Sequence, residues 1–347
     1  MITLAPARLE WWWMAVALAV LAVVAGVAIG YGVVPLDAGA IVRSIADRLP
    51  FVDVDTGLDE RQEAILWAIR LPRVVLGGIV GATLALAGGA YQGSFRNPLA
   101  DPYLLGVAAG AGLGATIAIA YLPASSLPIS PLLVLAFAGA IGGVALTYLV
   151  GYSVKAGRTS VTLILAGVAV AAFLTAIQTY LLQREASTLR QVYGWILGRL
   201  ATVGWDEVLL VLPWVLITGA VIVAGRSRLD VLSVGDEEAR ALGVDPQRVR
   251  LVVVLAATLG TAAVVAVSGL IGFVGIIVPH TVRIIFGTSY KIVLPLSIVY
   301  GAAFLIVCDL IARTVISPGE LPIGVVTAFF GAPFFAFVLR SSRGVGT

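Results

Sequence analysis

The sequence has one cysteine, Cys308, and one histidine, His280, in 347 residues. A lone thiol closes no internal disulfide and supports no C-x-x-C metal or redox site. A lone histidine next to Pro279 reads as a hydrogen-bonded packing residue rather than a haem ligand, because ligation needs supporting groups nearby. Charge is scarce too: 12% of residues are charged against 60% hydrophobic, and the mean hydropathy is +1.05. The net charge of +3 is spread along the chain rather than gathered on a face, so no nucleic-acid partner is indicated. No G-x-x-x-x-G-K-[ST] stretch occurs, so ATP-driven work would need another chain to bind the nucleotide. The apolar stretches hold almost no ionisable groups, which leaves an ion relay without its parts. An intramembrane hydrolase would have to draw on Ser268 and His280, and no G-x-S-G context surrounds that serine.

What the chain has in abundance is long apolar runs. A helix needs about 20 such residues to cross roughly 30 Å of hydrocarbon, and only helices satisfy their own backbone on the way. The expected fold is an all-α polytopic membrane protein with about ten spans: 12–33, 71–92, 103–122, 130–151, 161–182, 206–224, 248–267, 271–285, 292–312 and 322–340. Span 271–285 is short and read as broken by Pro279, so a count of nine is the alternative. The first span exceeds a typical signal h-region and reads as a retained anchor, with Trp11, Trp12 and Trp13 at headgroup level. With the N-terminus inside, inner loops carry 13 basic and 7 acidic residues and outer loops 9 and 12. That bias satisfies the positive-inside rule, and an even number of spans then places both termini in the cytoplasm. The whole of 1–347 reads as one transmembrane domain, with 233–246 as a distinct cytoplasmic segment.

Three constellations stand out. Between spans two and three, Asn97-Pro98 stops a helix and Asp101-Pro102 caps the next, giving a rigid hairpin. Gly106, Gly110 and Gly114 behind it, and Gly77, Gly81, Ala85 and Gly89 before it, form small ridges for close helix packing. Between spans six and seven, Asp236, Glu237 and Glu238 open a short helix continued by Arg240 and Leu242, and Gly243 stops it in a left-handed conformation. Asp245 and Pro246 then cap the following helix, so the segment reads as a lever between two firm ends, with a solvated connector as the plain alternative. On the outer side Arg70 and Arg73 share a helical face, and Arg313 lies at the outer end of span nine beside Asp309, a pairing partner one turn away. Snorkelling anchors and a docking surface account equally well for these arginines.

The runs RNPLADPYLLG from Arg96, GLIGFVGIIVPHTVRIIFG over 269–287 and ELPIGVVTAFFGAPFF over 320–335 resemble the ferric-chelate and cobalamin ABC-importer permeases, from about Arg70 to the C-terminus. The resemblance implies a non-enzymatic inner-membrane subunit of ten helices that works as a dimer. It further implies two cytoplasmic ATPase subunits, which bind ATP and Mg in place of any cofactor of this chain, and an extracytoplasmic binding protein. On it, Asp236 to Gly243 engages the ATPase, and Arg70, Arg73 and Arg313 meet acidic residues of the binding protein. Asn97 and Leu99, with Ser160 and Val161 at the start of span five, correspond to the cytoplasmic constriction. The cobalamin branch has Thr-Ser where this chain has Ser160-Val161, a departure within that gate. A ferric siderophore is the first cargo implied, with cobalamin or haem as alternatives and a secondary carrier as the remote one.

Overall fold

A computed structural model describes residues 9–32, 34–50, 53–122, 130–153, 160–200 and 204–342. Arg8, Lys155, Arg158 and Arg343, which enter the charge balance, lie outside the described residues, as does the side chain of Ser160. The described residues are helical, without a strand among them.

In chain order the helices are α1 (Trp11–Gly30), α2 (Ala38–Asp47), α3 (Glu60–Ile65), α4 (Leu71–Phe95), α5 (Val107–Tyr121), α6 (Pro131–Ser153), α7 (Ser160–Arg184) and α8 (Leu189–Ile196). They continue as α9 (Asp206–Ala224), α10 (Arg226–Val234), α11 (Asp236–Ala241), α12 (Pro246–Ser268), α13 (Val274–Phe286), α14 (Tyr290–Thr314) and α15 (Ile323–Ser342). Seven stretches are long and apolar enough to cross a membrane: α1, the α3–α4 unit Glu60–Phe95, α6, α7, α9, α12 and α14. Three shorter apolar helices, Val107–Tyr121, Val274–Phe286 and Ile323–Val338, occupy positions of other expected spans. The short helices α2, α3, α8 and α10 had no counterpart in the periodicity.

The second span is entered by continuous helix from Glu60, ahead of the expected start at 71, and two further features differ from the sequence reading. Pro102–Leu105 forms a 3-10 turn capped by Asp101, whose carboxylate accepts the Tyr103 N–H at 2.8 Å. Gly106 then takes φ +84, so α5 begins at Val107 rather than at 103. Pro279 does not break α13 but lies inside it. Proline removes the N–H that would bond the carbonyl four residues back, which is that of Gly275. Gln92 of α4, fully buried, donates its side-chain amide to that carbonyl at 3.0 Å. The freed backbone group is thus satisfied by a neighbouring helix, as apolar surroundings demand.

Helices α4, α12 and α14 form the buried centre, while α1, α6, α7 and α9 are largely exposed. Small residues set the closest approaches. A Cβ at Gly81 of α4 would overlap the Gly301 backbone of α14, and one at Gly110 of α5 would overlap Gly139 of α6. The ridges expected from the glycine spacing are therefore in use, with bulk excluded so that backbones touch.

Non-helical backbone deep in the bundle is paired with itself. Arg199 donates its N–H to the Ser268 carbonyl at 2.7 Å, and Gly324 donates to Leu197 at 3.0 Å. The residues after α8, the break after α12 and the start of α15 thus share one junction. Phe273, which precedes α13, adopts φ +69, a conformation L-residues avoid. Its ring lies against Gly331 of α15, where any Cβ would collide with it.

Candidate functional site

Polar side chains gather at both ends of the buried pair α4 and α14. At the Arg73 end, a π-helical turn over Leu66–Arg70 leads into α4. Arg70 is buried, and it donates to the carbonyls of Ile29 at 2.8 Å and Gly30 at 3.1 Å, and to that of Val34. Arg313 donates to the carbonyls of Tyr31 at 3.1 Å and Ala28. Two guanidinium groups therefore cap the C-terminal carbonyls of α1, where the helix dipole favours positive charge.

Arg73 points elsewhere. Its Nε and Nη2 straddle Asp309 at 2.8 to 3.1 Å, and Nη1 and Nη2 reach Glu320 at 2.8 and 2.9 Å. Arg70 and Arg73, expected to share a face, thus engage different elements: one holds α1 and the other holds α14 and the loop before α15. The expected Asp309–Arg313 pair is the longer contact, 3.7 Å, and Arg73 is the main partner of Asp309. Glu320, whose side chain is 47% exposed, is the solvent-facing member. Its hydrogen bond from Arg73 holds its carboxyl below the usual carboxylate range. Within a single chain, all three arginines are occupied.

At the other end lies the segment expected to be a lever. Gly243 has φ +77, Val244 N–H bonds the Ala239 carbonyl at 2.9 Å and Gly243 N–H that of Arg240 at 2.9 Å, a Schellman stop. Asp245 caps α12 by accepting from the backbone of Gln247 and Arg248. Both caps match the sequence reading. Glu237, Glu238, Arg240 and Leu242 are exposed, while Ala239 is buried.

The segment has more parts than the sequence suggested. A second helix, α10, precedes α11, and Gly235 at φ +145 makes the corner between them. Asp236 is pinned by Arg250, with two bonds of 2.6 and 2.9 Å, and by Arg96 at 3.1 Å. Hydrogen bonding from Arg250, aided by the nearby positive charges, holds the Asp236 carboxyl below its ordinary value. Arg250 also donates to the Ser94 carbonyl at 2.7 Å, which ties α11 and α12 to the end of α4. On α10, Asp230 accepts from the Tyr290 N–H at 2.6 Å and from the Ser289 hydroxyl at 2.8 Å, capping α14 from a distance. Tyr290 leads on to Arg283 of α13, whose guanidinium donates to Gln92 at 3.0 Å. The two-helix segment is therefore fastened to α4 and α14 by polar contacts, and by the fully buried Leu229, Leu232 and Ala239, which join the core.

Beside it, Asn97 accepts the Leu99 N–H at 2.9 Å in a tight turn after Arg96, which is left-handed at φ 49. Asn97 and Leu99 are half-buried and Val161 is exposed. Ser268 holds its hydroxyl proton on its own backbone, 2.8 Å from the Val264 carbonyl and 3.1 Å from that of Gly269, and His280 lies edge-on to Phe334. Neither is arranged to attack a substrate.

Sequence reasoning missed Arg96, Arg250, Asp230, Glu320 and Gln92 as site residues. Arg96 and Glu320 stood inside the quoted RNPLADP and ELP runs, which was signal enough to ask for their partners. Asp230, Arg250 and Gln92 had none.

Comparison with known proteins gives this arrangement a context. A family model described as the FecCD transport family matches residues 11–341. An uncharacterized ABC transporter permease protein, YvrB, of Bacillus subtilis is 41% identical over 81% of this chain and 80% of its own length. The cobalamin import system permease protein BtuC of Halobacterium salinarum is 41% identical over 82% of this chain and 75% of its own. The Fe(3+)-citrate import system permease protein YfmD of Bacillus subtilis is 38% identical over 89% and 90%. Among solved structures, an ABC transporter chain in an inward-facing conformation superposes with a TM-score of 0.81 at 30% identity, covering 94% of this chain and 98% of that one.

Proposed function

The chain belongs to the FecCD transport family, and on that premise we propose that it is the permease of an ATP-driven importer for a bulky metal chelate. In this reading it has ten membrane helices in the inner membrane, both termini are cytoplasmic, and two copies form the pathway between them. Two ATPase subunits bind ATP and Mg below, and a binding protein docks outside. The chain moves cargo and performs no chemistry on it.

The observation that carries the reading is the α10–α11 pair. It presents Val234 and Leu242, 65% and 66% exposed, away from the bundle while its inner face is pinned to α4 and α14. Exposed apolar side chains on a firmly anchored helical corner suit a protein partner whose motion must be passed on. At the opposite end, the arginine cluster is the docking surface for the binding protein, with Glu320 at its rim. Asn97, Leu99, Ser160 and Val161 form the constriction on the ATPase side.

A ferric siderophore is the leading cargo, and cobalamin or haem the alternative. Relatives named for cobalamin and for ferric citrate stand at similar identity, so the branch is decided by transport and not by likeness. The test is reconstitution with the ATPase and the binding protein, measuring ATP-dependent uptake of a ferric hydroxamate, cyanocobalamin and haem, with subunit stoichiometry from native mass spectrometry. Uptake by the lone chain, or uptake that follows an ion gradient without ATP, would overturn it.

A further inference from the structure

The ends of α9 and α12 nearest α11 touch where Val253 packs on Gly225 and part on the side of Val221 and Val252. Between them lies a cavity of about 520 Å³, walled by Val221 of α9 and by Val249, Val252 and Val253 of α12, with Arg228 of α10 and Arg248 of α12 at its rim. We propose that this cavity binds an anionic phospholipid from the leaflet at that end, the cytoplasmic leaflet in the orientation given above.

The chemistry is graded along the direction the membrane imposes. Val221 and Ala224 belong to the last turn of an apolar helix long enough to span, and Arg228 follows one turn beyond it. Arg248 stands in the first turn of α12, and Val252 and Val253 lie one turn deeper, about 6 Å by helical rise. Apolar walls therefore sit at acyl depth and guanidinium groups at headgroup depth. A basic pocket between membrane helices at this level is what an anionic headgroup selects.

The positive charge at the rim is available. Arg228 has no side-chain hydrogen bond or ion pair among the described residues. Among the described residues Arg248 meets only Asp245, at 3.2 Å, in a pair whose side chains are 87% and 50% exposed and which water screens heavily. Counting that carboxylate, the rim keeps one net positive charge, and two planar donors can grip a phosphate bidentately. A free phosphate would use this rim alone. A phospholipid uses the rim and the valine wall together, and no soluble anion does.

The occupant also touches the turn that ends α11, because Gly243 and Val244 line the same cavity. Lipid there would join α9 and α12 across the foot of the α10–α11 pair.

The test uses the full chain, delipidated in detergent, and a fluorescent short-chain phosphatidylglycerol, with phosphatidylcholine of the same chain length and inorganic phosphate as comparators. Saturable phosphatidylglycerol binding, about tenfold tighter than phosphatidylcholine and not displaced by millimolar phosphate, is expected. Replacing both arginines, Arg228→Gln with Arg248→Gln, should weaken it about thirtyfold. Val252→Trp, which fills the cavity from its exposed wall without touching charge, should weaken it as well, while Arg190→Gln on α8 should not. Equal binding of phosphatidylcholine, displacement by phosphate, or an undiminished affinity in the double variant would each overturn the assignment. So would a double variant that keeps its lipid but no longer co-purifies with an ATPase subunit, since the rim would then belong to that partner.

Discussion

Asp230 and Tyr290, 60 positions apart, meet through a 2.6 Å hydrogen bond that joins α10 to the first backbone N–H of α14. A helix end normally finds its cap in the residues just before it. Here Ser289 supplies part of the cap and α10 the rest, so a shift of α10 must either carry α14 along or leave its end unsatisfied. Asp230→Ala should cost about 1 kcal/mol of stability, the usual worth of a cap. Transport per ATP hydrolysed in proteoliposomes should fall more than either expression or dimer yield. If that ratio holds at the wild-type value, α10 is a prop and transmits nothing.

Glu320 occupies the guanidinium of Arg73 that a docking partner's carboxylate would want. Glu320→Gln removes the competing charge and leaves Asp309 in place to hold Arg73. Affinity for the binding protein should rise about two- to fivefold at low salt and return toward wild type near 0.5 M, as screened rim charges do. An affinity insensitive to both substitution and salt would leave the arginines as structural clamps on α1 and α14.

Gln92 stands in for the donor that Pro279 lacks. Gln92→Leu should cost about 1–3 kcal/mol by stranding the Gly275 carbonyl and the Arg283 guanidinium. Pro279→Ala restores an N–H to the same carbonyl, so Gln92→Leu should be about 1 kcal/mol milder in that background. Thermal unfolding of the four proteins of this cycle gives the coupling, and zero coupling would mean the two residues act independently.

Gly243 has open space where a Cβ would go, so a substitution there meets no clash and feels only its φ of +77. Gly243→Val should therefore fray the end of α11 at a cost of about 1–2 kcal/mol, and Gly243→Asn, which tolerates that conformation, should cost less. Normal expression with a lowered transport-to-hydrolysis ratio for Val, recovered by Asn, is the expected pattern. Equal ratios in all three proteins would make the segment a connector.

The Asp236 carboxyl lies below its ordinary 3.8 because Arg250 bonds the ionised form. A depressed folded value means that this contribution is complete above the unfolded pKa and is lost as pH falls through the folded one. Hydrogen exchange over 236–241 should then be flat from pH 7 to about 4, after correction for intrinsic rates, and should loosen below. In Arg250→Gln the exchange should already be faster at neutral pH, and the further loosening below about pH 4 should shrink, because the Asp236 carboxyl moves back toward its ordinary value. Coincident profiles would remove Arg250 as the cause.

The legible parts of this molecule are those whose physics is local. Hydrophobic runs placed the long helices within a few residues, and the caps at Gly243 and Asp245 were visible because glycine and Asx-Pro patterns act on their own backbone. The glycine spacing announced close packing, though not that Gly81 would meet Gly301, 220 positions on. Pro279 misled, since its effect on a helix depends on whether a neighbour supplies a donor, and Gln92 lies 183 residues before Gly275. The arginines were found and their directions were not: spacing along α4 says which side of the helix a residue leaves, while α1 and α14 decide where its guanidinium stops. α10 escaped because its apolar face, Leu229 and Leu232, is only two residues long in an otherwise charged and polar stretch.

The ring of Phe273 pressed against the bare backbone of Gly331 has a consequence for descent. Volume at 331 is denied for as long as 273 carries a side chain, so 331 cannot drift alone. Lineages that keep any side chain at 273 should keep glycine at 331, because the Phe273 Cβ as well as its ring blocks a Cβ there. Gly331 is then inherited together with the side chain at 273, although 58 residues separate them.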